Sequence, residues 1–179
     1  MKETFKYALI LGLICFLASS VLAVVNSLTE PIIKAQKEKE ESLALKELLP
    51  QAAVFKPYYD DEEKMLFYRG YDRNNQLDGF VLKPGQRGYS SDIEVLVSLD
   101  LNLKIINIKI LSQNETPALG TRILEIPFLG QFKNKSLESL REVQAISGAT
   151  ISSAAVINSV KKKILELQNR LEEEMKSGG

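Results

Sequence analysis

Two short elements in this 179-residue chain combine residue types that can do chemistry. The first is Ser147-Gly148-Ala149-Thr150, followed by Ile151-Ser152-Ser153 and an amphipathic stretch that reads as a terminal helix. The start of a helix offers backbone amides without intrahelical partners and a partial positive charge, which suits a phosphate group. Gly148 lets the backbone come close and Ala149 adds little bulk. The hydroxyls of Ser147 and Thr150 can bond phosphate oxygens or, in one case, be esterified. The same residues also read as plain helix caps, the ordinary use of Ser and Thr at such a place. The second element, Glu115-Thr116-Pro117-Ala118-Leu119-Gly120, follows an expected strand. It reads either as a capped helix start, with Thr116 as N-cap and Pro117 first in the helix, or as a ligand-facing loop. In the loop reading Gly120 clears space and Leu119 offers an apolar contact to a ring.

Composition narrows the chemistry. There is no histidine, and the single cysteine, Cys15, sits in an apolar run, which removes most routes to zinc, haem or iron-sulfur ligation and any histidine acid/base pair. Redox chemistry would need an organic cofactor, and no metal site or catalytic side chain is expected. Formal net charge is zero, so nothing points to nucleic acid, and Lys161-Lys162-Lys163 reads as a solvated helix face. A hydrolase pairing Ser147 with one of those lysines is disfavoured, because an exposed basic run is a poor place to desolvate a lysine.

The elements that must position these residues fall into two parts. Residues 7–29 carry no charge, a run long enough to cross a hydrocarbon core of roughly 30 Å. A cleavable signal ending near Val21-Leu22-Ala23 is the competing reading, but the apolar run exceeds the usual signal core of about 7 to 15 residues. Thr29-Glu30-Pro31 reads as a helix entrance, leading into a charged stalk with an apolar face at Leu43, Leu45, Leu48 and Leu49 and a stop at Pro50. Strands are expected at 65–71, 77–82, 93–99 and 103–111, with turns at Asn74-Asn75, Lys83-Pro84-Gly85 and Asp100-Leu101-Asn102. Short helices are expected near 117–124 and 137–143. In the last helix Val156, Val160, Ile164, Leu167, Leu171 and Met175 form one apolar face. The fold class expected is α+β: an antiparallel sheet covered by helices, with one N-terminal transmembrane helix. The division is 1–29 cytoplasmic tail and anchor, 30–50 stalk helix, 51–176 main domain, and 177–179 flexible tail.

Taken in order, the single span, Gly88-Tyr89 ahead of a strand, the Glu115 to Gly120 loop and the Ser147 to Thr150 element with its trailing Ser153 resemble the FMN-binding domain family. The resemblance is to the G subunit of the bacterial Rnf complex, with the C subunit of the sodium-pumping NADH:quinone reductase as a more distant relative. It implies FMN held covalently on Thr150 through a phosphoester made by a flavin transferase. Ser147, Gly148 and Ala149 would surround the phosphate, Thr116, Leu119 and Gly120 would approach the flavin, and Glu115 and Ser153 would complete the cofactor-binding set. It further implies an electron-carrying subunit of a complex coupling ferredoxin and NAD to ion translocation, not catalytic alone. The partners implied are the bilayer and the other Rnf subunits, in particular the membrane subunit with a second covalent FMN. The implied place is the bacterial inner membrane, single-pass, with the main domain on the extracytoplasmic face. The chain departs from the family pattern at Gln144, commonly acidic, at Ala118, commonly glycine, and at Ser90 and Ser91, commonly small with glycine included. A membrane-anchored envelope adaptor without redox chemistry is the alternative.

Overall fold

The computed structural model describes residues 2–177, and the chain divides between Glu41 and Ser42 into two compact units. The first unit is helical throughout. Helix α1 spans Lys2–Leu48, so its last turns belong to the second unit. Its apolar side chains, among them Leu9, Leu13, Phe16, Leu22 and Leu28, are exposed. Among the described residues it is the one helix long and apolar enough to cross a membrane. Its uncharged run, residues 7–29, is long enough at about 1.5 Å per residue to cross a hydrocarbon core of roughly 30 Å.

The helix entrance expected at Thr29-Glu30-Pro31 is not one, because α1 runs through Pro31 without a break. Thr29 is an interior residue whose hydroxyl donates back to Val25 O at 2.9 Å and Asn26 O at 3.3 Å. A proline removes one intrahelical bond, and here the turns on both sides stay formed. The charged stretch beyond it is solvated, with Lys34 paired to Glu30 at 2.7 Å and Gln36 donating to Glu40 at 3.0 Å.

The second unit is built on a six-stranded antiparallel sheet in the order β1-β2-β3-β5-β4, with β6 also paired to β5. Strands β2 (Met65–Tyr71), β3 (Leu77–Leu82), β5 (Asp92–Leu99) and β6 (Ile105–Ser112) fall where the apolar alternation puts them. Strands β1 (Val54–Tyr59) and β4 (Gly85–Arg87) lie outside the expected set. The first is an edge strand carrying Pro57, the second is three exposed residues, and neither alternates.

Three hairpin turns share one device. Asp60, Asp72 and Asp100 each accept, through Oδ1, the amides two and four residues on, at 2.8 to 3.0 Å. In each turn the residue three positions on is left-handed: Glu63 at φ 59°, Asn75 at 59° and Leu103 at 56°.

Both faces of the sheet are covered. On one face Val95, Val97 and Leu99 share a core with Ile105, Ile108 and Ile110 and with Val156, Val160, Ile164, Leu167 and Leu171 of helix α3 (Thr150–Ser177). On the other, Val81 and Leu96 meet Ala44, Leu45, Leu48, Leu49 and Ala52 from the end of α1 and beyond. There the buried Ser98 hydroxyl donates to Leu48 O at 2.8 Å and accepts from Asn107 N at 3.1 Å. The expected face is corrected at one position: Leu43 is 53% exposed, and Ala44, at 1%, takes its place. Between β6 and α3 run 3-10 helices at Gly120–Leu124, Gly130–Phe132 and Ser139–Glu142 and a single α-turn, α2 (Ile126–Leu129). Buried Ile123, Phe128, Phe132 and Leu140 pin them to the core. Of the expected tail 177–179, Ser177 closes α3, and Gly178 and Gly179 lie outside the described residues.

The docked end of α1 makes a direct test. Leu48→Ala should lower stability by about 2–5 kcal/mol, as large-to-small core changes do. Leu43→Ala should stay within about 0.5 kcal/mol of wild type. Denaturant unfolding of the full chain in detergent reads both, and equal losses would contradict this packing.

Candidate functional site

The site is organised around one carboxylate. Glu115, three residues beyond β6, is only 4% exposed. Its Oε1 accepts the amides of Ser90 (3.0 Å) and Ser91 (2.9 Å) and the Ser91 hydroxyl (3.3 Å). Its Oε2 accepts Tyr89 N at 3.1 Å and the Ser152 hydroxyl at 2.5 Å. One side chain therefore joins three segments: the loop before β5, the loop after β6 and the first turn of α3. Burial pushes its pKa up, but the bonds from Ser152, Ser91, Ser90 and Tyr89 together outweigh that and hold it below the ordinary 4.5. Two glycines make room. A Cβ on Gly88 would lie 2.7 Å from Glu115 Oε1, and one on Gly120 would lie 2.7 Å from Glu115 Cβ and 2.9 Å from Oε2.

Beside this carboxylate opens a cavity of about 390 Å³, lined by Tyr89, Thr116, Leu119, Gly120, Gly148, Ala149, Thr150, Ile151 and Ser152. That volume falls in the range of small-molecule sites, about 300–1,000 Å³. Tyr89, Leu119 and Ile151 are large apolar side chains left exposed around it. Thr150 is the first residue of α3 and is exposed. The first intrahelical bond runs from Ser153 N to Ala149 O (2.9 Å), so the amides of Thr150, Ile151 and Ser152 stand ahead of the ladder. Gly148 turns the chain into the helix at φ +81°, a left-handed conformation that favours glycine. Arg122, paired with Glu125 at 3.6 Å, holds the approach to this turn, its Nη1 donating to Ser147 O at 3.0 Å.

Of the residues singled out in the sequence, Thr116, Leu119, Gly120, Gly148, Ala149 and Thr150 come together on the cavity. Glu115 lies behind the wall, and Ser147 is exposed, its carbonyl held by Arg122. Ser153 is buried, with Oγ donating to Ala149 O at 2.7 Å and accepting Ile146 N at 3.1 Å, so it shapes the bend into α3. Tyr89, Ile151, Ser152 and Arg122 were not singled out for the site. Ile151 is an ordinary apolar residue in the sequence, whereas Tyr89 stood in the Gly88-Tyr89 pair ahead of β5 and Ser152 in the hydroxyl-rich run after Thr150.

The capped helix start at Thr116-Pro117 is not formed. Ala118 sits at φ +63°, which breaks a right-handed helix, and the 3-10 helix begins only at Gly120. The departure at Ala118 thus falls where the backbone favours glycine. At Gln144 the backbone is gripped by the Gln131 amide, which accepts Gln144 N at 2.8 Å and donates to Gln144 O at 3.3 Å. Gln144 itself remains exposed.

Comparison with known proteins gives this arrangement its class. Residues 88–164, which contain Glu115, the cavity and Thr150, match the FMN-binding domain, and residues 1–48 match the RnfG N-terminal region. The chain is 31% identical over 172 residues to the G subunit of the ion-translocating oxidoreductase complex of Methanosarcina acetivorans, covering 89% of this chain and 92% of that one. It is 31% identical over 193 residues to the G subunit of the Na(+)-translocating ferredoxin:NAD(+) oxidoreductase complex of Acetobacterium woodii, with 94% and 93% covered. The chain belongs to this family of Rnf G subunits. The fold resembles that of NqrC from Shewanella oneidensis, at TM-score 0.54 and 18% identity over 73% of this chain and 74% of that one.

Two predictions come from this geometry. Because the folded Glu115 carboxyl titrates below its ordinary value of 4.5, its contribution to stability is present above that pH and is lost as pH falls through the folded value. Thermal melts from pH 7 to 3 should show wild type losing stability on the acid side. Glu115→Gln should melt lower at pH 7, with its deficit shrinking toward pH 3. Ala118→Gly should raise stability by about 0.5–1 kcal/mol by relieving the left-handed strain, and a lower melting temperature would refute that reading.

Proposed function

We propose that this chain is a membrane-anchored electron carrier with FMN phosphoester-linked to Thr150, working as one subunit of an Rnf-type complex. The observation that carries the reading is the exposed Thr150, placed where the leading amides of α3 meet the cavity, within the segment matched to the FMN-binding domain. The residues present fit the group. The amides of Thr150, Ile151 and Ser152, with Gly148 giving close approach, can hold a phosphate. Tyr89, Leu119 and Ile151 offer apolar surface to an isoalloxazine ring. When bound, FMN would accept and release electrons one or two at a time. That role needs no metal ligand and no histidine, in keeping with the composition.

In this reading residues 7–29 anchor the chain in the bacterial inner membrane, residues 30–50 form a stalk, and residues 51–176 carry the flavin on the extracytoplasmic face. A flavin transferase attaches the FMN, for which a covalent bond prevents loss where free FMN is scarce. The partners are the other Rnf subunits, in particular the membrane subunit bearing a second covalent FMN. The activity is electron transfer between ferredoxin and NAD coupled to ion movement, the reaction named for the Acetobacterium woodii relative.

Producing the chain together with a flavin transferase tests this. Intact mass should rise by one esterified FMN, and a fluorescent band should survive denaturing electrophoresis. Thr150→Val should lose both signals while keeping the wild-type fold. Unmodified wild-type protein, with transferase activity and flavin supply verified, would count decisively against the proposal.

A further inference from the structure

The Glu115 carboxylate lies one residue behind the cavity. On that side it meets Gly120, where an added Cβ would fall 2.9 Å from Oε2, and Ser152 and Tyr89, whose hydroxyl and amide donate to the same oxygen at 2.5 and 3.1 Å. All three residues line the cavity. The groups that donate to the carboxylate are three backbone amides and two serine hydroxyls. None is a cation, so they solvate the charge without cancelling it. At 4% exposure the carboxylate has little direct contact with water, and its field reaches into the cavity beside it. A ligand in that cavity therefore sits beside a fixed negative charge.

We propose that Glu115 sets the reduction potential of the cofactor held in this cavity, its buried charge behind Gly120 and Ser152 opposing electron uptake and keeping the potential low. This rests on the FMN reading above and extends it, giving Glu115 an electrostatic role toward the ring in addition to its structural one. Electrons arriving from a reductant add negative charge next to an existing negative charge, so the reduced form is disfavoured relative to the same site with a neutral residue. Ser152 moderates the effect. Its hydroxyl points its positive end at Oε2 and takes up part of the charge.

The test is a pair of variants with opposite expected signs. The full chain is made with a flavin transferase, its loading is confirmed by intact mass, and it is titrated with dithionite in the presence of mediator dyes. Glu115→Gln removes the charge at nearly constant shape and should shift the potential upward. Ser152→Ala keeps the charge but removes its shortest donor and should shift the potential downward. Glu115→Asp, which restores the charge, should return toward wild type. A role confined to packing predicts no shift, or the same direction for Glu115→Gln and Ser152→Ala, and either result overturns the proposal. Should Glu115→Gln fail to fold, Ser152→Ala decides alone, since an unchanged or raised potential contradicts it. Wild-type protein that never carries FMN would sink the functional reading and this one together. Loaded protein with unmoved potentials would sink only this one.

Discussion

A carboxylate withdrawn from water must be met by donors, and around Glu115 that requirement decides where three distant stretches of chain can lie. The antiparallel register of β5 and β6 pairs Glu94 with Ser112, which brings the residues just past β6 beside those just before β5. Glu115 therefore falls within reach of the amides of residues 89–91. From the far side, α3 is fixed by Val156 and Val160 in the core, which sets Ser152 one turn earlier in the same helix against Oε2. Sheet pairing and helix packing thus converge on a single group, and the cavity is the space left open beside it.

The local backbone bends to this arrangement. Gly88 and Gly120 approach the carboxylate more closely than a side chain would permit, and Gly148 takes a left-handed turn into α3. Ala118 adopts a similar turn without being glycine. Its strain is tolerated because the segment is held at both ends. Glu115 anchors the N-terminal end, and the buried Ile123 anchors the C-terminal one. Held this way, the loop presents Leu119 to the cavity instead of starting a helix.

How much of this was legible in the sequence depends on the range of each signal. Alternation over several residues revealed the interior strands, and a 3.6-residue period revealed the buried face of α3. Strand β1, with Pro57 and most of its residues turned to solvent, carried no such pattern, and β4 was too short to have one. Thr29 and Thr116 matched the rules for helix starts, yet both were overruled. One was overruled by intact helix on either side of Pro31, the other by a left-handed residue two positions on. At the site, hydroxyls and glycines pointed to the α3 entrance. The work of Glu115 could not be read, because its partners are mostly backbone amides about 25 residues away and an amide leaves no signature in residue type.

The bond from Ser98 to the carbonyl of Leu48 bears on where the anchor ends. By secondary structure, α1 continues to Leu48, and the natural place to cut a soluble domain free would be the loop at Pro50. By packing, Ala44, Leu45 and Leu48 already belong to the interior of the domain, sealing Val81 and Leu96 from water. A trim at Pro50 would unroof that face and take from the Ser98 hydroxyl its shorter acceptor, leaving the Asn107 carbonyl at 3.3 Å. The usable boundary for a water-soluble fragment lies within the helix, before Ser42, so the soluble form inherits the tail of its own anchor as a structural part.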